Sequence, residues 1–133
     1  NIIRIGSCGA YLPELNLVDI VLSENVFSEG NYALTLNNDI CHIASSSDKL
    51  NSIIKNTAVE NNLELTNGNT VCTDCFDVYM TDVNQFLARV PDGFNPASAE
   101  MEAFDIFYVD KVLNKKAVCF FKFIYKGIHL LYH

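Results

Sequence analysis

Asn1-Ile2-Ile3-Arg4-Ile5-Gly6-Ser7-Cys8-Gly9-Ala10 opens the chain, and its reading decides the fold. Ile2 to Ile5 is β-branched and apolar around a single arginine, which predicts a short buried strand. It runs into Gly6-Ser7-Cys8-Gly9-Ala10, small residues that predict a loop. Ligands of α/β sheets collect at the carboxyl ends of strands. Small residues there let backbone N–H groups approach an anion, and Arg4 adds a charge-assisted hydrogen bond. The same residues also fit a tight turn after a buried strand, with Arg4 paired to a carboxylate.

Moving outward, Val18-Asp19-Ile20-Val21-Leu22 predicts a second strand, and Ser23 to Asn38 a loop holding one weak strand. Ser46 or Ser47 can cap a helix running to about Asn61. Its positions Leu50, Ile53, Ile54, Thr57 and Ala58 fall on one helical face. Leu63 to Thr73 contains Asn67-Gly68 and reads as a strand pair or a bent strand. Val83 to Val90 reads as a short helix closed by Pro91-Asp92-Gly93. Ser98 is expected to start a helix to about Asn114, with Met101, Phe104, Tyr108 and Val112 as its inner stripe. Ala117 to Tyr125 is an apolar run with one lysine, a buried strand. Strands alternating with helices predict an α/β domain with a mostly parallel or mixed sheet.

Composition bounds the partners. The 133 residues are 50% hydrophobic, with a net charge of −7 and a pI of about 4.7. With no basic run, nucleic acid is not expected as a partner, since phosphate backbones are held by clustered Lys and Arg. A small phosphate ligand needs only one or two arginines and backbone N–H groups. No apolar run approaches the roughly 20 residues that span a bilayer, and the opening apolar stretch is too short for a secretory leader. Neither a membrane nor export is therefore expected. Five irregularly spaced cysteines do not resemble a disulfide framework, so a reducing cytoplasm is expected. Cys72-Thr73-Asp74-Cys75 lacks two further ligands at zinc spacing, and the cysteines are expected to be small buried residues. His129 and His133 carry no recognisable triad arrangement.

Two further groups of residues carry chemistry. Glu100-Met101-Glu102 fits simple charge complementation at a helix N-terminus, or a carboxylate accepting from the vicinal hydroxyls of a sugar. Phe76, after Asp74-Cys75, fits either the core or a flat contact with a heterocyclic base.

Taken in order, these segments resemble the nucleoside phosphorylase family, and specifically purine nucleoside phosphorylases of the bacterial oligomeric type. Ile3 to Ala10 with Leu12-Pro13 and Leu17 to Val21 resembles the segment around the family's phosphate-binding arginine. Gly68-Asn69 with Asp74-Cys75-Phe76 resembles the segment of its base-stacking phenylalanine. Ala99-Glu100-Met101-Glu102-Ala103-Phe104 resembles its ribose-binding glutamate motif. Lys116-Ala117-Val118-Cys119 resembles the strand leading to its catalytic aspartate. The match runs from about Asn1 to Cys119.

The resemblance implies three layers about a central mixed, twisted sheet, incomplete here, in one partial domain over residues 1–133. It implies attack of inorganic phosphate, as co-substrate, on the anomeric carbon of a purine nucleoside. The free base and a pentose 1-phosphate leave through an oxocarbenium-like transition state. It places phosphate on Arg4 and Ser7, the base beside Cys8, Gly9 and Phe76, and the ribose on Glu100, Met101 and Glu102. It implies no metal or other cofactor, and a dimer-based hexamer.

Three departures matter. The family carries further sequence before Ile2 and after His133. Tyr125 stands where it has the aspartate that protonates the leaving base, so no catalytic acid is assigned, and a phenol is a poor acid at neutral pH. Asp77 replaces an aromatic residue. The tail from about Phe120 is expected to reflect a frameshift or degraded gene end. Uridine phosphorylase or a nucleosidase of the same fold is one alternative, and a non-catalytic nucleoside-binding remnant the other.

Overall fold

A computed structural model describes residues 1–126, with the backbone alone for Lys126. The expectations on His129 and His133 lie outside the described residues. Six strands form one mixed sheet in the order β3-β2-β4-β5-β1-β6. They are β1 (Ile2–Ala10), β2 (Ile20–Ser28), β3 (Ile43–Ser45), β4 (Leu65–Cys72), β5 (Pro96–Glu100) and β6 (Ala117–Lys126). β1 runs parallel to β6, and β4 runs parallel to both β2 and β5. β2 also pairs antiparallel with β6, from Ile20↔Lys122 to Ser23↔Cys119. That contact closes β2-β4-β5-β1-β6 into a ring. β3 lies outside it, on the stretch of β2 from Asn25 to Phe27.

The helices are α1 (Tyr32–Asn37), α2 (Asp48–Glu60), α3 (Val83–Leu87) and α4 (Ala103–Val112), with a 3₁₀ turn at Asp77–Tyr79. Alternation along β6 shows how they are layered. Ala117, Cys119, Phe121 and Phe123 join a core with Phe104, Phe107 and Tyr108 of α4 and Ala33 of α1. Val118 and Phe120 join a second cluster with Leu50 and Ile54 of α2. Phe86 of α3 packs on Phe27, Val71, Phe94 and Ala99. The sheet is thus covered from both sides, as a three-layer α/β domain requires.

Several elements differ from expectation. The first strand is neither short nor buried along its length. It spans nine residues, and its early side chains are open, Ile5 being 72% exposed. Gly6 to Ala10 is strand, not loop. Ser23 to Ser28 continues β2, and α1 follows where a loop is expected. Leu65–Cys72 is one strand through Asn67-Gly68, with register shifts against both neighbours. Gly68 is required because a Cβ there would sit 2.5 Å from the Cβ of Ala97. Ser98 does not begin a helix. It lies in β5, and α4 starts at Ala103. Phe104 and Tyr108 are buried with Phe107, while Met101 and Val112 are exposed. Both Cys72 and Cys75 are expected to be buried; Cys72 is, and Cys75 is exposed.

α2 agrees with its sequence reading in its cap and extent, but not in all of the expected inner face. Ser47 is its N-cap and accepts a hydrogen bond from the Leu50 N–H at 3.4 Å. Leu50, Ile54 and Ala58 face inward, while Ile53 and Thr57 face solvent. Ser47→Ala should cost about 0.5–1 kcal/mol, the low end for a lost cap because this bond is long. Equilibrium urea unfolding measures it, and an unchanged midpoint would show that the cap contributes nothing.

Candidate active site

β1 supplies the floor of the site, and its glycines explain why. The Arg4 side chain folds back along the strand, so a Cβ on Gly6 would meet Arg4 Nη1 at 2.7 Å. The Tyr125 ring lies across Gly9, where a Cβ would meet its Cζ at 2.4 Å. The small-residue run is therefore a strand that receives two long side chains flat against its backbone. Tyr125 reaches Gly9 through a bulge. Cys8 pairs with Phe123, and Gly9 with Tyr125, so Ile124 is skipped. Bulges commonly re-aim a side chain beside a site in this way.

Arg4, Ser7, Cys8, Phe76, Glu100, Met101, Glu102 and Tyr125 line one cavity of about 210 Å³, together with Ala99 and Ile124. The structure thus brings together every residue singled out for phosphate, base or sugar except Gly9, which lies beneath the Tyr125 ring. The volume is below the ~300–1,000 Å³ usual for small-molecule sites. A larger cavity of about 370 Å³ lies beside α3. Its cation, Arg89, is held by Glu29 at 2.6 Å. We favour the smaller cavity because a cation with a free donor lies in it.

That cation is Arg4, with a side chain 20% exposed. Its Nη2 contacts the largely exposed Glu102, and its Nη1 lies 3.2 Å from Glu100 Oε2. The second contact is an ion pair without hydrogen-bond geometry, and Nη1 is buried with no hydrogen-bond partner. The guanidinium also sits 5.1 Å from the Phe121 ring centroid, within cation–π range. Glu100 is positioned by its backbone. At the end of β5, its carboxylate accepts from the N–H of Glu102 at 2.9 Å and of Ala103 at 3.0 Å. It so caps α4 in place of a residue at the cap position itself, an arrangement favoured by the helix dipole. Burial raises the Glu100 pKa, while the two N–H donors and Arg4 oppose the rise. Burial likewise pushes the Cys8 thiol up to about 12, with Glu100 adding to the effect. Cys8 is therefore a neutral thiol at physiological pH.

The opposite end of the cavity is aromatic. Phe76 and Tyr125 meet edge to face, centroids 4.9 Å apart. Phe76 is half-buried, so it is not a core residue of the ordinary kind. Tyr125 donates its O–H to Asp77 Oδ1 at 2.7 Å, and Tyr11 donates to Asp77 Oδ2 at 2.9 Å. Burial and the neighbouring Asp77 carboxylate raise both phenol pKa values well above the ordinary range. Tyr125 is thus a weaker acid than a free phenol. Asp77, buried at 1% exposure, was visible in the sequence only as a departure from the family pattern. Tyr11 carried no signal.

The mixed sheet with helices on both sides defines an α/β domain. The chain belongs to the phosphorylase superfamily, whose family model matches residues 1–120. It is similar to the DeoD-type purine nucleoside phosphorylase of Mycoplasma genitalium, 36% identical over 119 residues, covering 88% of this chain and 48% of that protein. The corresponding Mycoplasma pneumoniae protein is 32% identical with the same coverage. The chain therefore spans about half the length of the curated relatives it matches. Among solved structures, a 5'-methylthioadenosine/S-adenosyl homocysteine nucleosidase of Campylobacter jejuni aligns with a TM-score of 0.76. It is 20% identical, over 95% of this chain and 56% of that one. Futalosine hydrolase of Helicobacter pylori aligns with a TM-score of 0.77 at 17% identity, over 94% and 56%. These two likenesses establish the fold. No helix among the described residues is long and apolar enough to cross a membrane.

Proposed function

We propose that this chain carries the phosphate- and nucleoside-binding half of a purine nucleoside phosphorylase, with weak acid catalysis. The observation that carries the reading is the buried Nη1 of Arg4, ion-paired with Glu100 but making no hydrogen bond, in the same cavity as Ser7. A buried N–H that makes no hydrogen bond is costly, and a phosphate oxygen would satisfy it. In this reading phosphate lies against Arg4 and Ser7, and Glu102 with Met101 holds the ribose. Cys8, Gly9 and Glu100 flank base and sugar, and Phe76 stacks on the base. Similarity to the two mycoplasma enzymes favours phosphorolysis over hydrolysis.

In the reaction, a phosphate oxygen bonds to the anomeric carbon as the glycosidic C–N bond breaks. The departing base takes the electron pair and needs a proton. Tyr125 supplies one poorly, because its proton is held by Asp77. General acid catalysis is worth roughly 10²–10⁴-fold, so turnover should fall short of a carboxylic acid enzyme by about that factor. The test is incubation of inosine and adenosine with and without phosphate, with chromatography of the products and calorimetry of binding. Binding with slow, phosphate-dependent release of base is expected. Release that ignores phosphate would sink phosphorolysis in favour of a nucleosidase, and absence of nucleoside binding would sink both. Sedimentation tests the homo-oligomer that the same reading entails.

A further inference from the structure

Asp77 is buried beside the cavity, and the reaction as described makes no direct use of it. Its carboxylate is acceptor-only, and two phenols from opposite ends of the chain, Tyr11 and Tyr125, spend their single protons on its two oxygens. Tyr125 is the member that also lines the cavity. At the aromatic end of the cavity Phe76 offers no polar atom, and Tyr125 carries the one side-chain polar atom of the pair, its hydroxyl lying over Gly9 and bonded to Asp77. With its hydrogen committed to Asp77, the Tyr125 oxygen has only lone pairs left to offer.

The wall is also rigid. Tyr125 is wedged between the backbone of Gly9 and the edge of Phe76, and the bulge at Ile124 fixes its approach. Turning the phenol so that its hydrogen faces a ligand would strip a buried carboxylate of one of its two donors, a change far costlier than losing one exposed hydrogen bond.

We infer that Asp77 is a positioning residue that sets base specificity, by holding Tyr125 as a hydrogen-bond acceptor and so selecting heterocycles that turn an exocyclic amino donor, rather than an exocyclic carbonyl, toward it. This rests on the nucleoside reading above. A carbonyl turned the same way would place acceptor against acceptor, and a site built for one hydrogen-bonding pattern rejects the mismatched ligand more strongly than a merely apolar one does.

The test is calorimetric binding, in phosphate buffer, of three purine ribonucleosides that differ in the group at position 6, amino, hydrogen or oxo, with the oxo compound also carrying a proton on N1. The full chain should bind them in that order, with about tenfold between the first and last, the scale of one net hydrogen bond. Tyr125→Phe keeps the ring and removes the oxygen, so the three affinities should converge to within about twofold. Asp77→Asn gives one phenol an amide N–H to accept from and frees its proton, so the 6-oxo compound should gain on the 6-amino one. A structural role alone would lower all three affinities together. Circular dichroism establishes that each variant is folded, and if Asp77→Asn is not, Tyr125→Phe decides. Equal binding of the three by the unaltered chain, or an order that survives Tyr125→Phe, overturns the inference and leaves the nucleoside reading standing. Binding of none of the three overturns that reading, and this inference with it.

Discussion

Arg4→Gln should weaken binding of inorganic phosphate roughly 100-fold, the loss of a charge-assisted hydrogen bond together with the cation that offsets two carboxylates. The geometry makes Arg4 hard to replace. Its guanidinium is seated over Gly6 and beside Phe121, and its fork is shared between Glu100 and Glu102. Glutamine would leave those two carboxylates without their cation, so the cavity would repel an anion as well as fail to hold it. Arg4→Lys separates the two effects. It keeps the charge and loses the planar fork, and about a tenfold loss is expected. Phosphate titration by calorimetry reads both variants. Undiminished phosphate binding by Arg4→Gln would place the anion site elsewhere in the molecule.

Phe104→Ala should cost about 3–5 kcal/mol, as for other large aromatic deletions in a core. Phe104 is fully buried, and its ring stacks on Tyr108 at 5.9 Å with an interplanar angle of 9°. It sits in the cluster that joins α4 to β1, β2 and β6. The N-terminus of that helix carries the Ala103 N–H that fixes Glu100, so loosened packing should also relax the site. Against a total stability of roughly 5–15 kcal/mol for a domain, such a loss should leave the chain partly unfolded at physiological temperature. Urea denaturation followed by circular dichroism measures it, with Phe104→Leu expected to recover most of the loss. A cost below about 1 kcal/mol would mean that α4 does not rely on this face.

The parts of the fold legible in the sequence are those where burial leaves an apolar pattern. β6 is a continuous apolar run from Ala117 to Phe121 covered on both faces, and α2 repeats Leu50, Ile54 and Ala58 at helical spacing behind a serine cap. Where side chains are small, periodicity is silent. Ala97-Ser98-Ala99-Glu100 has no β-branched residue, yet it is a strand because β4 and β1 hold it on either side. Local propensity is a weak prior against such pairing. Gly6 to Gly9 misleads for a related reason, since a glycine that receives a neighbouring side chain looks, in sequence, like one that makes a turn. The residues of the cavity were legible as motifs from four separate segments, through family resemblance. The acceptor role of Tyr125 was not, because it depends on Asp77, a residue 48 positions away.

The ring of strands also bears on how the molecule is made. Arg4 of β1 pairs with Cys119 of β6, and the antiparallel seam between β2 and β6 joins segments almost as far apart. Contacts between such remote segments carry a loop-closure cost before they return anything, and they slow folding. During synthesis, β1 leaves the ribosome more than a hundred residues before β6 and must wait for its parallel partner. The site is assembled on that late contact, since Tyr125 arrives on β6. Chaperone dependence and the timing of ligand competence should therefore both track the emergence of β6 rather than of the opening motif.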